Sequence, residues 1–300
     1  MYYYAVDLLQ TTLDGLLYGS TYALVAIGFT LIWGLLRILN LAHGETVMVG
    51  MFVGMLATKV PGMPILVGIA LAMMGGALVG LAVERICYRP LRQAHELVPM
   101  IATLGFWILL EELFIKIYFK VWFRDYVAFP NPFDGVGLDI GPLRLRGDYL
   151  MTLGVAVALV IVLYLVVYKT RLGLAMRMIA EDHDIGHLMG VPVSRVLTGA
   201  FLMSAAYGGA AGYLIGMTSN LAGPYAGSQA LVKGLFAMIL GGAGSIVGAI
   251  VGGLSLGVLE LVSSYVFSFS YRDAIAMAVL FIVLIFRPQG LVGTKSSERV

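Results

Sequence analysis

Long apolar runs separated by short polar intervals dominate the pattern of this chain of 300 residues. Several runs approach or exceed the ~18 residues that a helix needs to cross a bilayer core. The pattern predicts an all-α polytopic membrane protein with eight or nine transmembrane helices. The predicted apolar segments are 9–36, 46–58, 65–83, 98–119, 149–168, 196–217, 231–240, 246–267 and 274–286.

Polar intervals between these segments are short. The longest on the expected outer side is 120–148, which is too short for a separate domain. The whole chain, 1–300, is therefore expected to form a single transmembrane domain.

Small residues recur at every fourth position in three apolar segments, which lets helix backbones approach closely in lipid. They are Gly68, Ala72, Gly76 and Gly80; Ser204, Gly208, Gly212 and Gly216; and Gly244, Gly248 and Gly252. The short run 231–240 is followed by glycines and then by a full-length segment. This pattern predicts one discontinuous helix, a feature that often lies beside a transport route. A re-entrant turn with only a packing role is the alternative.

Composition supports a membrane location. Hydrophobic residues make up 60% of the chain and charged residues 12%, with a mean hydropathy of +0.94, whereas a soluble domain is about half apolar and a quarter charged. Lipid is thus an expected partner and nucleic acid is not. A single cysteine, Cys87, excludes an internal disulfide. No cleavable signal peptide is expected, because Asp7 and Asp14 occupy the place of a basic n-region.

The distribution of basic residues predicts the orientation. No Lys or Arg precedes Arg37, and basic residues concentrate in 84–97, in 169–195 and in the C-terminal tail. Because cytoplasmic segments carry an excess of Lys and Arg, we expect the N-terminus outside and the C-terminus in the cytoplasm.

No constellation for covalent chemistry is evident, so the chain is not expected to be an enzyme. His183 and His187 could share a helix face and chelate a metal, but no third ligand is evident and no metal site is predicted. Glu111, Glu112 and Glu260 lie in apolar segments, where ionisable groups are often functional. An ion-gradient-driven secondary transporter, with Glu260 as the proton carrier, is therefore an alternative function.

The interval 171–195 is the longest polar one flanked by basic residues. Its acids favour a helix N-terminus, two apolar side chains follow, and glycine then proline would end the helix. A short helix over 181–190 is predicted, serving either as an ordinary loop helix or as a docking helix for a soluble partner. The candidate docking residues are Arg177, Glu181, Asp182, Asp184, Leu188, Met189 and Gly190.

A second polar interval, 40–45, lies between the first two apolar segments. Asn40, His43 and Glu45 could line the translocation path or its inner gate, or they could simply cap and hold the turn. Gly241, Gly242 and Gly244 are candidates for the same path, since they lie at the predicted helix break.

Four motifs resemble the permease subunit of bacterial branched-chain amino-acid ABC importers, and the likeness extends over essentially the whole chain. They are Gly19-Ser20-Thr21-Tyr22-Ala23-Leu24, Asn40-Leu41-Ala42-His43-Gly44-Glu45, Arg177 with Ala180-Glu181-Asp182 and Leu188-Met189-Gly190-Val191, and Leu240-Gly241-Gly242-Ala243-Gly244-Ser245. The closing run 287–293 also fits. The chain departs from the family at Ile185-Gly186-His187, where alanines are usual.

The resemblance implies the ABC importer permease fold, a location in the bacterial inner membrane, and a subunit without its own ATPase site or bound cofactor. It implies three kinds of partner: a second homologous permease, two cytoplasmic ATP-binding subunits and an extracytoplasmic solute-binding protein. The 171–195 loop would couple ATP hydrolysis to the membrane domain. The solute would be a branched-chain or similar amino acid, with urea and amides remaining open.

Overall fold

The computed structural model describes residues 2–122, 126–181 and 189–293. Helices account for most of this part of the chain. They are α1 (Tyr2–Leu36), α2 (His43–Thr58), α3 (Ile65–Val83), α4 (Leu97–Trp122), α5 (Gly147–Lys169), α6 (Arg171–Glu181), α7 (Val193–Ser219), α8 (Ala226–Gly241), α9 (Ile246–Val266) and α10 (Arg272–Phe286). A π-turn and a 3₁₀ turn extend α3 over Glu84–Tyr88 and Arg89–Leu91, and a 3₁₀ turn over Phe269–Tyr271 precedes α10.

Each of the nine predicted apolar segments forms a helix. Within the described ranges, seven helices are long and apolar enough to cross a membrane: α1, α3, α4, α5, α7, α9 and α10. The other two, α2 and α8, have 16 residues each. At 1.5 Å per residue they reach about 24 Å, less than the ~30 Å bilayer core.

Close approach of helix backbones builds the core. A Cβ at Gly19 would lie 2.8 Å from the carbonyl oxygen of Gly253, which packs α1 against α9. A side chain at Gly76 would collide with the carbonyl oxygen of Ala205, and one at Gly212 with that of Val47, so α7 lies against both α3 and α2. The predicted packing role is confirmed for Gly76 and Gly212.

The predicted discontinuous helix is wrong in one respect: its two parts lie side by side instead of end to end. A side chain at Gly252 would collide with the carbonyl oxygen of Ala237, and one at Gly241 with that of Gly248. Helices α8 and α9 thus form an antiparallel hairpin, the re-entrant alternative. The chain reverses because Gly242 and Gly244 adopt φ of 114° and 90°, which glycine tolerates without steric cost.

The connecting segments sort into two ends. At one end, called the strand end, β1 (Val127–Ala128) pairs with β4 (Leu221–Ala222), and β2 (Gly137–Ile140) pairs with β3 (Leu143–Arg146). Gln10, near the start of α1, bonds the backbone of Arg144 there.

The opposite end carries the α8–α9 turn. Arg89 donates to Ser194 at this end, and the backbone N–H of Leu291 donates to the carbonyl of Leu240. The loops are distributed between these two ends in the same way as the predicted inner and outer segments alternate along the chain. Which end faces the cytoplasm stays a prediction.

Candidate functional site

Helix α6 carries the first of the predicted coupling residues. It buries Gly173, Met176 and Ile179 against the body of the protein. The bend that precedes it is tight, because a side chain at Gly173 would collide with the carbonyl oxygens of Val166 and Val167. The helix is therefore held firmly along one face and open along the other.

The predicted helix start at Glu181 is wrong. Glu181 is exposed and is the last described residue of α6, a helix that starts ten residues earlier at Arg171, so this acid does not begin the helix in which it lies. The preceding apolar positions at 173, 176 and 179 recur at helical spacing and extend the helix toward Arg171. The sequence analysis overlooked this stripe in favour of the acids that follow.

Three of the predicted docking residues, Asp182, Asp184 and Leu188, lie outside the described residues, as does most of the predicted helix 181–190. Met189 has 68% of its surface exposed, and Gly190 adopts a φ of 73°. An exposed methionine at this point is compatible with a docking role, which the structure does not test.

Arg177 lies beside the α8–α9 turn. Its guanidinium stacks on the ring of Tyr168 with the carbon 5.1 Å from the centroid. A cavity of about 350 Å³ is lined by Arg177 and Ala180 of α6, by Gly244 and Ser245 of the turn, and by Gly34 of α1. The predicted coupling and path residues are thus neighbours across this cavity, although they are far apart in sequence.

Asn40 holds the turn that leads into α2. Its side-chain oxygen accepts a hydrogen bond from the backbone N–H of Ala42 at 3.2 Å, which is the local bond typical of an Asx turn. Asn40 is 4% exposed. This contact favours the capping alternative for Asn40 over a gate.

His43 and Glu45 are fully buried in the first turn of α2. The His43 ring packs edge-on against Phe29, with centroids 4.6 Å apart, and a side chain at Gly28 would collide with it. Because Gly28 lies eight residues before the end of α1, α2 begins about 12 Å inside the bundle.

Glu45 has no hydrogen-bond partner for either carboxylate oxygen among the described residues. Both ring nitrogens of His43 likewise have no hydrogen-bond partner among the described residues. The backbone of Val25 lies near the ring, but the contact does not have ordinary hydrogen-bond geometry. Glu111 of α4 is close enough to interact electrostatically with Glu45. His43 and Glu45 are therefore buried without a hydrogen bond of ordinary geometry to any described residue, while their role in translocation stays a prediction.

A further set of residues, which the sequence analysis did not assemble, lies toward the strand end. The Nζ atom of Lys233 lies 2.6 Å from Glu260 Oε1, and the Tyr22 hydroxyl donates to Glu260 Oε2 at 2.6 Å. Arg272 and Asp273 complete what we call the charge cluster: Tyr22, Lys233, Glu260, Arg272 and Asp273. Sequence offered one signal, namely that Lys233 and Glu260 are isolated opposite charges within neighbouring apolar segments.

Comparison with known proteins identifies relatives along nearly the whole chain. The family described as "Branched-chain amino acid transport system / permease component" matches residues 11–286. The high-affinity branched-chain amino acid transport system permease proteins BraD of Pseudomonas aeruginosa and LivH of Escherichia coli K12 are 34% and 35% identical. Each alignment covers 97% of this chain, with 98% of BraD and 97% of LivH.

A more distant relative, the fructose import permease protein FrcC of Rhizobium meliloti, is 27% identical over 67% of this chain and 55% of its own length. No solved structure gives a significant match. The extent of the family match and of the two similar permeases decides the assignment. This multi-pass membrane protein belongs to the family of branched-chain amino acid transport system permease components.

Proposed function

We propose that this chain is the membrane-spanning subunit of an ATP-driven importer for branched-chain or similar amino acids. The observation that carries the proposal is the placement of α6. One face of the helix packs on the bundle through Met176 and Ile179, while Arg177 faces the cavity beside Gly244. A soluble partner that binds α6 and the following loop would therefore lie close to the α8–α9 turn, with α6 between the partner and the turn.

The energy source in this proposal is a separate ATPase. The chain supplies no ATPase site or cofactor of its own, and two ATP-binding subunits would act through the 171–195 loop. A second, homologous permease and a solute-binding protein complete the proposed assembly. The ion-gradient alternative has no support among the relatives, and Glu260, its candidate proton carrier, is held in an ion pair with Lys233.

A branched-chain or similar amino acid is the proposed solute because the two similar permeases bear that description. The fructose permease shows that distant relatives serve other solutes. Family membership alone therefore leaves the solute as a proposal.

Coupling is tested with the double variant Leu188→Asp and Met189→Asp. If these side chains leave water in a groove of the ATPase, each contributes about 1.5–3 kcal/mol to its binding. We expect the variant to insert into the membrane but to lose co-purification with the ATPase and ATP-dependent leucine uptake. The matched control is Arg144→Asp at the strand end. Normal uptake and normal co-purification in the double variant would refute the coupling role.

The proposed orientation is tested by labelling. In a Cys87→Ala background, the exposed residues Gln93 and Asp139 are replaced singly by cysteine. An impermeant maleimide added outside intact cells should label the Asp139→Cys protein, while the Gln93→Cys protein should react only after the membrane is opened. Labelling of both in intact cells would overturn the topology.

A further inference from the structure

The charge cluster brings together two cations and two acids from three helices. Lys233 lies on α8, Glu260 on α9, and Arg272 and Asp273 at the start of α10. Asp273 Oδ1 lies 3.5 Å from Lys233 Nζ and 3.6 Å from Arg272 Nε. The formal charge of the set is zero, so a bound ligand without net charge would leave it balanced.

The members of the charge cluster differ in how completely their charged groups are paired within the protein. The side chain of Glu260 is 2% exposed and is held by Lys233 and Tyr22. Arg272 Nε lies 3.9 Å from Glu260 Oε2 and 3.6 Å from Asp273 Oδ1, and both distances exceed a hydrogen bond. The Asp273 side chain is 71% exposed. Arg272 and Asp273 are therefore the members with capacity for a ligand.

A cavity of about 640 Å³ lies against these two side chains, within the range of small-molecule sites. Its other wall is apolar and includes Val232, Phe236, Leu256 and Met277. The Arg272 guanidinium is oriented by the ring of Phe269, with 4.9 Å between its carbon and the centroid. One cavity thus combines a cation, an acid and an apolar surface.

We propose that this cavity binds a zwitterionic α-amino acid with an apolar side chain. The ligand carboxylate would bond the terminal nitrogens of the Arg272 guanidinium, its ammonium group would bond Asp273, and its side chain would lie on the Phe236–Leu256–Met277 wall. A guanidinium suits a carboxylate because it can donate two parallel hydrogen bonds. The site rests on the proposed function and adds a place on this chain where the solute is recognised.

The position of the cavity suits an entry site. Tyr126, which precedes β1 at the strand end, lines both this cavity and a second one of about 340 Å³. Gln229, Lys233, Phe269 and Arg272 also line both. The charge cluster therefore lies between two adjoining cavities, where a solute would meet it before reaching the middle of the bundle.

Protection of an introduced cysteine tests the site directly. In a Cys87→Ala background, Val232→Cys places a thiol on the cavity wall, since Val232 is 44% exposed. The complete transporter in membrane vesicles is labelled with a small maleimide in the presence of leucine, 4-methylpentanoate or isopentylamine. These probes share an apolar chain but carry both charges, only the carboxylate, or only the ammonium group.

Of the three probes, only leucine should slow the labelling of the Val232→Cys protein. Arg272→Gln should raise the leucine concentration needed for protection about tenfold or more, because charge-assisted hydrogen bonds are lost. Arg144→Gln, an exposed arginine at the same end, should change nothing. Equal protection by all three probes, or none by leucine, would overturn the site. Where Arg272→Gln fails to assemble, the comparison of the three probes on the Val232→Cys protein decides alone.

Measuring ATP-dependent leucine uptake beside protection from labelling distinguishes a failure of this site from a failure of the proposed function. If ATP-dependent leucine uptake is absent while protection persists, the importer function fails and the site stands. If uptake is normal while leucine gives no protection, only the site fails.

Discussion

Two of the buried glutamates in this protein, Glu45 and Glu260, are accommodated in opposite ways. Glu260 accepts short contacts from Lys233 and Tyr22, whereas Glu45 has no hydrogen-bond partner among the described residues. Both are at most 2% exposed. Charges thus hold the helices together around Glu260, while around Glu45 the helices are held by close contact of small residues.

The difference shows two solutions to the cost of polar groups in a bilayer. An ionised group in an apolar interior is costly unless a partner compensates it, and the charge cluster provides that partner from another helix. Near Glu45 the glycines at 44, 208 and 227 admit the backbones and side chains of neighbouring helices. Removing one side chain should therefore have unlike effects in the two regions.

The largest effect is expected from Glu260→Leu. Removing this carboxylate takes from Lys233 its shortest ionic contact, at 2.6 Å, and leaves it the longer contact with Asp273 and the bond to the Tyr22 hydroxyl. Breaking a buried pair costs about 3–5 kcal/mol, and these remaining partners place the expected loss toward the lower end. Cys87 is buried and is the single cysteine, so its reaction with a thiol dye during heating reports unfolding. The melting temperature of the purified protein should fall accordingly.

Two further variants sharpen this result. Glu112→Leu, at an exposed position of α4, is the matched control and should leave the melting temperature nearly unchanged. Adding Lys233→Met to Glu260→Leu should recover part of the loss, because the ammonium group that has lost its shortest contact is then removed as well. A melting temperature that Glu260→Leu leaves at the control value would show that the pair does not hold these helices.

Gly212→Leu tests the region around Glu45, where close contact of small residues holds the helices together. A side chain there would collide with the carbonyl oxygen of Val47 and force α7 away from α2, and overpacking of this kind costs about 1–3 kcal/mol. Gly105→Leu, at a site with nothing within 4 Å of an added Cβ, is the control. Equal melting temperatures for these two variants would contradict close packing as the source of stability.

The smallest effect is expected from Glu45→Gln. No hydrogen bond among the described residues is lost, and a charge that would repel Glu111 is removed. The free energy of unfolding should change by about 1 kcal/mol or less, the net value of one ordinary hydrogen bond. A fall as large as that of Glu260→Leu would show that Glu45 has a strong partner and would end the contrast between the two glutamates.

Sequence patterns predicted the helices well because apolar length is read directly from the chain. All nine apolar segments became helices. The error at α8 and α9 concerned direction: Gly241 to Gly244 marked a break correctly, but periodicity does not state whether the chain continues or reverses. Reversal depends on Gly252 meeting Ala237, a tertiary contact.

The candidate sites show the same limit. The motif around Arg177 marked the interval 171–195, but the acids after it suggested a helix start at Glu181, whereas Glu181 lies in a helix that begins at Arg171. The charge cluster joins Tyr22 to partners more than 200 residues away, and local sequence carries no record of that distance. Pairing of isolated charges across apolar segments was the only available clue.

The bonds between the C-terminal segment and the α8–α9 hairpin impose an order on biosynthesis. The carbonyls of Leu240 and Gly241 accept hydrogen bonds from the N–H groups of Leu291 and Val292. Those donors are translated about fifty residues later, which takes about 3–10 s at bacterial and eukaryotic elongation rates. During this interval the carbonyls of Leu240 and Gly241 lack these two hydrogen bonds. A nascent chain truncated before Leu291 would keep both carbonyls unpaired with the C-terminal segment, and membrane proteases would then meet an incompletely folded hairpin.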